Sequence, residues 1–243
     1  MGVAGVEQGG KENGLSGVFS THLERDEFNI KMGGGIPIGS LMLIEGQEGS
    51  GRSVLCQRLS YGFLMNNCSV TYISTEMTVR EFIDQMYSLD YQIADDLLSQ
   101  RMRFVPVYPL LGATKSRHDF LSRLMNSNAL YDSDVIVIDS LSSLIENSVN
   151  GEGCLELLGF LKKVASQGKI IIFTSEAGSD DIKPLRLASD VYFSLKIKIS
   201  SDGMQRMLQV HRFSRARARV QDIIAFRIEP MVGLVIELTE VSG

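Results

Sequence analysis

Residues 41–57 read LMLIEGQEGSGRSVLCQ and combine an apolar run, a glycine-rich segment and the start of a second apolar pattern. The short apolar run Leu41–Glu45 predicts a buried strand. Apolar residues one helical turn apart predict a helix over Ser53–Met65. The glycine-rich segment Gly46–Ser53 lies between the two. A strand, a glycine-rich turn and a helix in this order form the context that a phosphate-binding loop requires, so the sequence predicts an α/β nucleotide-binding domain.

Strands and helices alternate after this stretch. The predicted elements are, in chain order, strand Val70–Ser74, a helix after a capping box at Thr78–Glu81, strand Met102–Val107, helix Ser116–Leu130, strand Val135–Asp139, helix Glu152–Ser166 and strand Lys169–Thr174. Such alternation predicts a three-layer α/β/α domain with a mostly parallel central sheet. Beyond residue 185, two pairs of runs predict hairpins that give the sheet a β-rich C-terminal extension: Val191–Ser200 with Met204–Phe213, and Ile223–Glu229 with Gly233–Leu238.

Composition limits the class of protein. The 243 residues are 44% hydrophobic and 22% charged, which excludes intrinsic disorder for most of the chain. Residues 1–17 are predicted to form a disordered leader, and residues 18–243 a single domain. The N-terminus lacks a secretory signal and the three cysteines lack metal-ligand spacing, so we expect a cytoplasmic protein with reduced thiols. The formal net charge of −5 argues against a globally basic nucleic-acid binder.

The segment Gly46–Ser53 follows the phosphate-loop pattern G-x-x-x-x-G-K-[ST], except that Arg52 stands where lysine is expected. Glycines let backbone N–H groups surround a phosphate, the helix N-terminus adds further donors, and Ser53 can place its hydroxyl on Mg²⁺. The alternative is an ordinary glycine-rich turn between a strand and a helix. Arginine keeps the positive charge but is longer and planar, so we expect nucleotide binding with slow or absent turnover.

Three polar residues lie at or just beyond the ends of predicted strands and are candidates for the same site. Asp139 ends an apolar strand and is a candidate for holding Mg²⁺, partly through water; otherwise it is a turn or helix-capping residue. Glu76 is a candidate for activating an attacking water, or a loop residue near a helix start. Thr174 is a candidate γ-phosphate sensor or a residue of a simple turn. The carboxyl ends of parallel strands meet at one edge of a sheet, so we expect these residues to converge.

The order of these features resembles the RecA/KaiC superfamily of P-loop ATPases. The stretches that carry the resemblance are GGGIPIGS at 33–40, YISTE at 72–76 and DSLSSL at 139–144. Within the superfamily, the segment AFRIEPMVGLVIE at 225–237 and the residues around Glu76 resemble the FlaH (ArlH) family, the KaiC-like accessory proteins of the archaellum, or archaeal flagellum, motor.

The resemblance implies a RecA-like fold, binding of ATP with Mg²⁺, little or no hydrolysis, and assembly into a homo-oligomeric ring. It also implies docking on the motor ATPase FlaI in a nucleotide-dependent way, near the membrane protein FlaJ and a scaffold ring, at the cytoplasmic side of the membrane. It assigns the metal to Ser53 and Asp139, and the catalytic carboxylate to Glu76. The nucleotide-binding set is Gly46, Gln47, Glu48, Gly49, Ser50, Gly51, Arg52, Ser53, Val54, Asp139 and Thr174.

Residues 203–221 contain five arginines and no acidic residue, which is unusual in an acidic protein. One interpretation makes Arg212 a finger that reaches the nucleotide of a neighbouring subunit in a ring. A second is a docking patch for an acidic partner or anionic lipid headgroups, and a third is a solvated hairpin face.

Three function classes remain open. The first is an ATP-binding regulatory ring subunit, the second an active RecA/KaiC-type ATPase, and the third a recombinase-like DNA-binding paralogue. Arg52 opposes the second. The third is disfavoured because the basic stretch has only Phe213 among its arginines, and aromatic side chains are what stacks on bases.

Overall fold

The structure is a computed structural model, and it describes residues 17–107, 118–145, 151–200 and 203–237. The predicted leader lies outside these residues except for Gly17. The described strands are β1 Val18–Phe19, β2 Ile36–Pro37, β3 Leu41–Gly46, β4 Val70–Ser74, β5 Met102–Pro106, β6 Val135–Asp139, β7 Ile170–Glu176, β8 Val191–Ser200, β9 Gly203–Phe213, β10 Ile223–Glu229 and β11 Gly233–Ile236. The described helices are α1 Phe28–Lys31, α2 Arg52–Met65, α3 Val79–Ser88, α4 Ala94–Leu98, α5 His118–Asn126, α6 Leu141–Ile145, α7 Gly151–Ala165 and α8 Lys183–Ala188, with a 3-10 helix at Asn128–Tyr131.

A large sheet forms the centre of the molecule. Among the described residues it has nine strands in the order β11-β10-β9-β8-β3-β7-β6-β4-β5. The strands from β8 to β5 in this order run parallel, whereas β9, β10 and β11 are antiparallel to their neighbours. The predicted fold class, a RecA-like domain with a mostly parallel sheet and a β-rich C-terminal extension, is confirmed.

The parallel strands are buried on both faces, which explains their continuous apolar runs. Strands β3, β4 and β6 are buried at every position. Along β3, Met42 and Ile44 join one hydrophobic cluster with α2, α3 and strand residues of β10 and β11. Leu41 and Leu43 point to the opposite face and join a second cluster with helices α5 to α8. Alternating side chains of one strand thus build both layers of the core.

Helix boundaries follow local capping. Helix α3 begins as predicted: the Thr78 hydroxyl accepts from the Glu81 N–H at 3.3 Å, and the Glu81 carboxylate accepts from the Thr78 N–H at 2.8 Å. The helix predicted over Ser116–Leu130 is shorter at its C-terminal end, because α5 stops at Asn126 and the chain continues as a 3-10 helix. Asn126, Ser127 and Asn128 form a polar run, and such residues favour turns over a helix interior.

In the described part of the chain, no helix has the length and apolar character needed to cross a bilayer.

The C-terminal hairpins curl over α2 and close the first cluster. The Leu234 N–H donates to the Tyr91 hydroxyl at 3.2 Å, and Phe226 and Leu234 are buried in that cluster. Gly233, at φ +92°, lies so close to the Tyr91 ring that a side chain would collide with it. This packing brings β9 and β10 beside the start of α2.

Candidate functional site

The predicted phosphate loop joins β3 to α2, as its sequence indicates. Gly49 and Gly51 adopt φ of +74° and +94°, which glycine tolerates and most other residues do not. Gly46 touches the Ser50 side chain so closely that a Cβ at this position would overlap Ser50 Oγ. Gly51 precedes the first helical residue and offers no side chain to cap the helix. The N-terminus of α2 therefore opens directly into the loop, an arrangement that favours an anion.

Two buried polar atoms of this loop lack a protein partner within the described residues. They are Ser50 Oγ and Arg52 Nη1. Burial of an unpaired polar atom is costly, and burial of an unpaired cationic group more so. A bound phosphate would accept hydrogen bonds from both atoms. The residues present therefore fit a nucleotide polyphosphate, with Arg52 in place of the usual lysine.

Asp139 lies at the carboxyl end of β6 and is buried. Its two carboxylate oxygens accept hydrogen bonds from two hydroxyls: Thr174 Oγ1 donates to Oδ1 at 2.7 Å, and the Tyr72 hydroxyl to Oδ2 at 2.8 Å. A carboxylate oxygen has further lone-pair capacity after one such bond. This geometry suits a carboxylate that contacts Mg²⁺ through water rather than wrapping around it.

Glu76 follows the end of β4 and is exposed, but surrounding protein partly desolvates its carboxyl group. This desolvation raises the pKa of Glu76, and the charge of Asp139 raises it further, while the positive charge of Arg52 opposes the shift. The geometry places Glu76 close to Asp139, because Ser74 at the end of β4 is level with Asp139 and the Thr75 N–H donates to the Asp139 carbonyl at 2.7 Å. The convergence that strand ends predicted is thus present in the structure.

The role of Thr174 as a γ-phosphate sensor stays a prediction. In the structure the residue is fully buried and its hydroxyl donates to Asp139. The reason is strand pairing, because β7 lies directly beside β6 and brings the end of each strand to the same level. Thr174 therefore contacts Asp139, the candidate metal-binding residue, directly.

Arg212 lies at the opposite end of β9 from the phosphate loop of its own chain. It pairs with Tyr192, which is level with Leu43, three residues before Gly46. Its Nη1 donates to three carbonyl oxygens at and just after the end of α8, at 2.6–3.2 Å. Within one chain Arg212 thus stabilises the C-terminus of a helix, where cations are favoured. Its role as a finger toward a neighbouring subunit stays a prediction.

Two residues of the site, Arg206 and Tyr72, are not among those predicted from the sequence. Arg206 belongs to the basic stretch, but its pairing with Ile197 carries it past the level of Gly46, and its Nε donates to the Gly49 carbonyl at 3.3 Å. Tyr72 lies within the quoted stretch 72–76, and its hydroxyl reaches Asp139. Tyr72 could have been suspected from its place on the strand that precedes Glu76. Nothing local in the sequence indicates Arg206, because its contact spans 157 residues of chain.

A partly buried ion pair supports the strand that leads into the loop. Glu45 immediately precedes Gly46, and its Oε1 accepts from Arg186 Nε of α8 at 2.8 Å. The Tyr192 hydroxyl of β8 donates to Glu45 Oε2 at 2.5 Å. Arg186 also donates to the Ser179 carbonyl at 2.8 Å, in the segment after β7. The end of β3 is thus tied to the neighbouring strand and to α8.

The comparisons with known proteins agree with this geometry. The family model described as ATPase: KaiC matches residues 21–240. The "Archaeal flagellar ATP-binding protein FlaH" of Methanocaldococcus jannaschii is 38% identical over 232 residues, which cover 94% of this chain and 100% of that protein. The protein of the same name from Methanococcus voltae is 37% identical over 223 residues, covering 90% of this chain and 97% of that one.

A solved structure is similar over the same extent. The crystal structure of the flagellar accessory protein FlaH from Methanocaldococcus jannaschii superposes with a TM-score of 0.85 at 38% identity. The superposition covers 92% of this chain and 100% of that structure. The similarity therefore includes the loop after β3 and the C-terminal hairpins as well as the parallel strands.

Proposed function

The chain belongs to the KaiC family of ATPases and, within it, to the archaeal flagellar FlaH proteins, and on this premise we propose that it is a nucleotide-responsive regulatory subunit of the archaellum motor. In this proposal it binds ATP with Mg²⁺, hydrolyses it weakly or not at all, and docks on the motor ATPase FlaI in a nucleotide-dependent way. It acts in the cytoplasm beside the membrane-embedded motor, near FlaJ and a scaffold ring.

The observation that carries ATP binding is the pair of unpartnered polar atoms in the phosphate loop. Ser50 Oγ and Arg52 Nη1 are buried and lack hydrogen-bond partners in the described part of the chain. They lie where backbone N–H groups at the start of α2 already favour an anion. A triphosphate would satisfy both atoms and the helix terminus together.

The chain's own residues divide the work of holding Mg²⁺-ATP. The backbone of Gly46–Val54 and the Arg52 guanidinium would bind the phosphates, and Arg206 would add positive charge beside Gly49. Ser53 and Asp139 would hold Mg²⁺, with Asp139 kept in orientation by its hydroxyl donors. Bound Mg²⁺ would neutralise phosphate charge and fix the shape of the polyphosphate.

Weak turnover is proposed because of Arg52. A lysine ammonium is a compact charge that approaches the γ-phosphate closely, whereas a planar guanidinium on a longer stem sets a different distance and direction. Phosphoryl transfer depends mainly on positioning and charge stabilisation, so a shift of about 1 Å can cost roughly 100-fold in rate. Binding depends less sharply on this geometry.

An active ATPase is the second candidate, and Glu76 favours it. Its carboxyl group shares the edge of the sheet with Asp139, and its pKa is raised by desolvation and by that neighbouring charge. A carboxylate with a raised pKa is a better proton acceptor for an attacking water than an ordinary one. A DNA-binding role receives no such support, since the partly buried Phe213 ring stacks on the buried Phe193 ring, with centroids 6.2 Å apart.

Assembly into a ring is also part of the proposal. The hairpin of β8 and β9 projects from the edge of the sheet that carries the phosphate loop, and it exposes Ile199 (79%) and Met204 (50%). Exposed apolar side chains beside a nucleotide site suit contact with a neighbouring subunit. Sedimentation of the purified protein with and without Mg²⁺-ATP tests this point, and a monomer under both conditions would contradict it.

A single-turnover hydrolysis assay separates the two candidates. Excess protein is mixed with radiolabelled ATP and Mg²⁺, and Arg52→Lys is measured beside the wild type. We expect negligible hydrolysis by the wild type and a gain with lysine, which restores the usual loop. Rapid hydrolysis by the wild type would favour the active ATPase. Capture of purified FlaI by the immobilised protein, with and without ATP, tests docking directly.

A further inference from the structure

The carboxylate of Asp139 is held from both sides by neighbouring strands. Strand β6 lies between β7 and β4 in the sheet, and each neighbour contributes one hydroxyl. Thr174 on β7 donates to Oδ1 at 2.7 Å, and Tyr72 on β4 donates to Oδ2 at 2.8 Å. The χ2 torsion of aspartate is soft, so a carboxylate without such donors can rotate through a wide range. Two donors together fix its plane.

The hydroxyl of Tyr72 has this one role within the described structure. The Tyr72 ring is fully buried and packs against Phe82 and Phe104, with centroid separations of 4.9 and 6.0 Å. Phenylalanine would make the same ring contacts without a polar atom to bury. The Tyr72 hydroxyl therefore contributes the hydrogen bond to Asp139, whereas the ring alone provides the packing contacts.

We propose that Tyr72 is a positioning residue for the metal site, whose hydroxyl orients the Asp139 carboxylate so that it can hold Mg²⁺ at the phosphate loop. The inference rests on the proposed function, because it requires that the loop binds Mg²⁺-ATP. Tyr72 lies on β4, outside the phosphate loop, and in this proposal the metal dependence of nucleotide binding relies on its hydroxyl. Groups that orient metal-binding side chains typically change metal affinity by ~10–100-fold when removed.

The test compares nucleotide binding with and without metal in the full-length protein. Tyr72→Phe removes the hydroxyl and keeps the ring. A fluorescent ATP analogue is titrated in EDTA, and Mg²⁺ is then titrated at a fixed analogue concentration. We expect the affinity in EDTA to match that of the wild type, and the Mg²⁺ concentration for half-maximal enhancement of binding to rise about 10-fold.

Tyr131→Phe is the matched control. Tyr131 is also buried, but its hydroxyl has no hydrogen-bond partner in the described part of the chain, so its removal breaks no bond of this kind. We expect the control to leave the Mg²⁺ dependence unchanged. Thermal unfolding of both variants reports on folding separately from metal binding.

A second measurement shows whether Tyr72 acts through Asp139. In an Asp139→Asn background the effect of Tyr72→Phe on the Mg²⁺ titration should vanish, because the carboxylate that it orients is gone. An unchanged Mg²⁺ titration for Tyr72→Phe, or an effect that persists in the Asp139→Asn background, would overturn the inference alone. A wild-type protein that binds no nucleotide would overturn the proposed function, and the inference with it.

Discussion

Arg206 Nε donates a hydrogen bond to the carbonyl oxygen of Gly49 at 3.3 Å, which joins the C-terminal hairpin to the phosphate loop. The side chain also lies against Gly51, where a Cβ would meet Arg206 Cδ at 3.3 Å. The loop is therefore held from outside its own strand and helix. Any change in the shape of the loop on binding a nucleotide would reach β9, and through it the exposed side chains of Ile199 and Met204.

Replacement of Arg206 should weaken nucleotide binding. Arg206→Ala removes a hydrogen bond and a positive charge beside the loop, so we expect ATP affinity to fall by about 5- to 10-fold, or ~1–1.4 kcal/mol. Arg227→Ala is the control, since Arg227 is a β10 arginine that pairs with Glu229 at 2.5 Å. Isothermal titration with Mg²⁺-ATP measures both. Equal loss in the two variants would indicate a general charge effect instead of a local contact.

The ion pair between Arg58 and Asp26 should dominate the stability of the N-terminal segment. Arg58 Nη2 lies 2.6 Å from Asp26 Oδ1, with side-chain exposures of 0% and 5%. Asp26→Ala would leave a buried guanidinium without its counter-charge, so we expect a loss of about 3–5 kcal/mol in the free energy of unfolding. Urea denaturation of the wild type and of Asp26→Ala measures this loss in the free energy of unfolding.

The exposed pair Arg80–Asp84 provides the matched comparison for this prediction. Its side chains are 91% and 71% exposed, and the two charges lie 3.7 Å apart. Solvent screens such a pair, and helix pairs of this spacing contribute about 0.3–0.5 kcal/mol. Asp84→Ala should therefore change the unfolding free energy little. If Asp26→Ala lowered the free energy of unfolding as little as Asp84→Ala does, the stability of the buried Arg58 would not depend on Asp26.

Two glutamates, Glu76 and Glu81, should affect stability in opposite directions as pH changes. The pKa of Glu76 is raised from 4.5, chiefly by desolvation, so its ionisation above that value destabilises the folded state. Glu76→Gln should raise the melting temperature at pH 7.5, and the gain should disappear as the pH falls below about 4.5, the ordinary pKa of the group.

Glu81 gives the opposite sign. Hydrogen bonds from Thr78 lower the pKa of Glu81 below 4.5, so its ionised form stabilises the folded state. Glu81→Gln should lower the melting temperature at pH 7.5, and the loss should shrink once the pH falls through the lowered pKa and the wild-type carboxyl group is itself protonated. Scanning calorimetry across pH measures both variants. The same sign for both would contradict the assigned causes.

The cysteines should be unreactive while the protein is folded. Cys56, Cys68 and Cys154 are free and have 0%, 6% and 2% of their surface exposed. Burial raises the pKa of each thiol, that of Cys68 to about 12, so little thiolate forms near neutrality. A thiol reagent at pH 8 should react with all three only after unfolding. Rapid reaction of the native protein would show that one of them is accessible.

The parallel half of the fold could be predicted because its signals are local. The apolar runs of β3, β4 and β6, the capping box of α3 and the glycines of the phosphate loop each occupy one short segment. Their physical causes are burial on both faces, paired terminal donors and positive φ angles, which the sequence alone reveals. The predicted β8–β9 and β10–β11 hairpins also begin and end within a few residues of their observed bounds.

The rest could not be predicted because it depends on distant pairings. Helices α4 and α8 are short, with 5 and 6 residues, too few to show a clear period. The contacts of Arg206 with Gly49 and of Arg212 with α8 depend on the curl and register of the C-terminal sheet. A stretch of arginines indicates charge, but the register decides which of them reaches the nucleotide site.

We propose that the phosphate loop binds ATP although Arg52 stands where the usual pattern has lysine. The most direct measurement is a calorimetric titration of the full-length protein with Mg²⁺-ATP, with Arg52→Ala titrated in parallel. We predict saturable binding with a dissociation constant on the order of micromolar, about 10-fold or more weaker in the alanine variant, because a charge-assisted bond to phosphate contributes ~1.5–3 kcal/mol. No saturable binding by the wild type would show that the loop does not bind ATP, and equal affinity in the two proteins would show that Arg52 does not contact the phosphates.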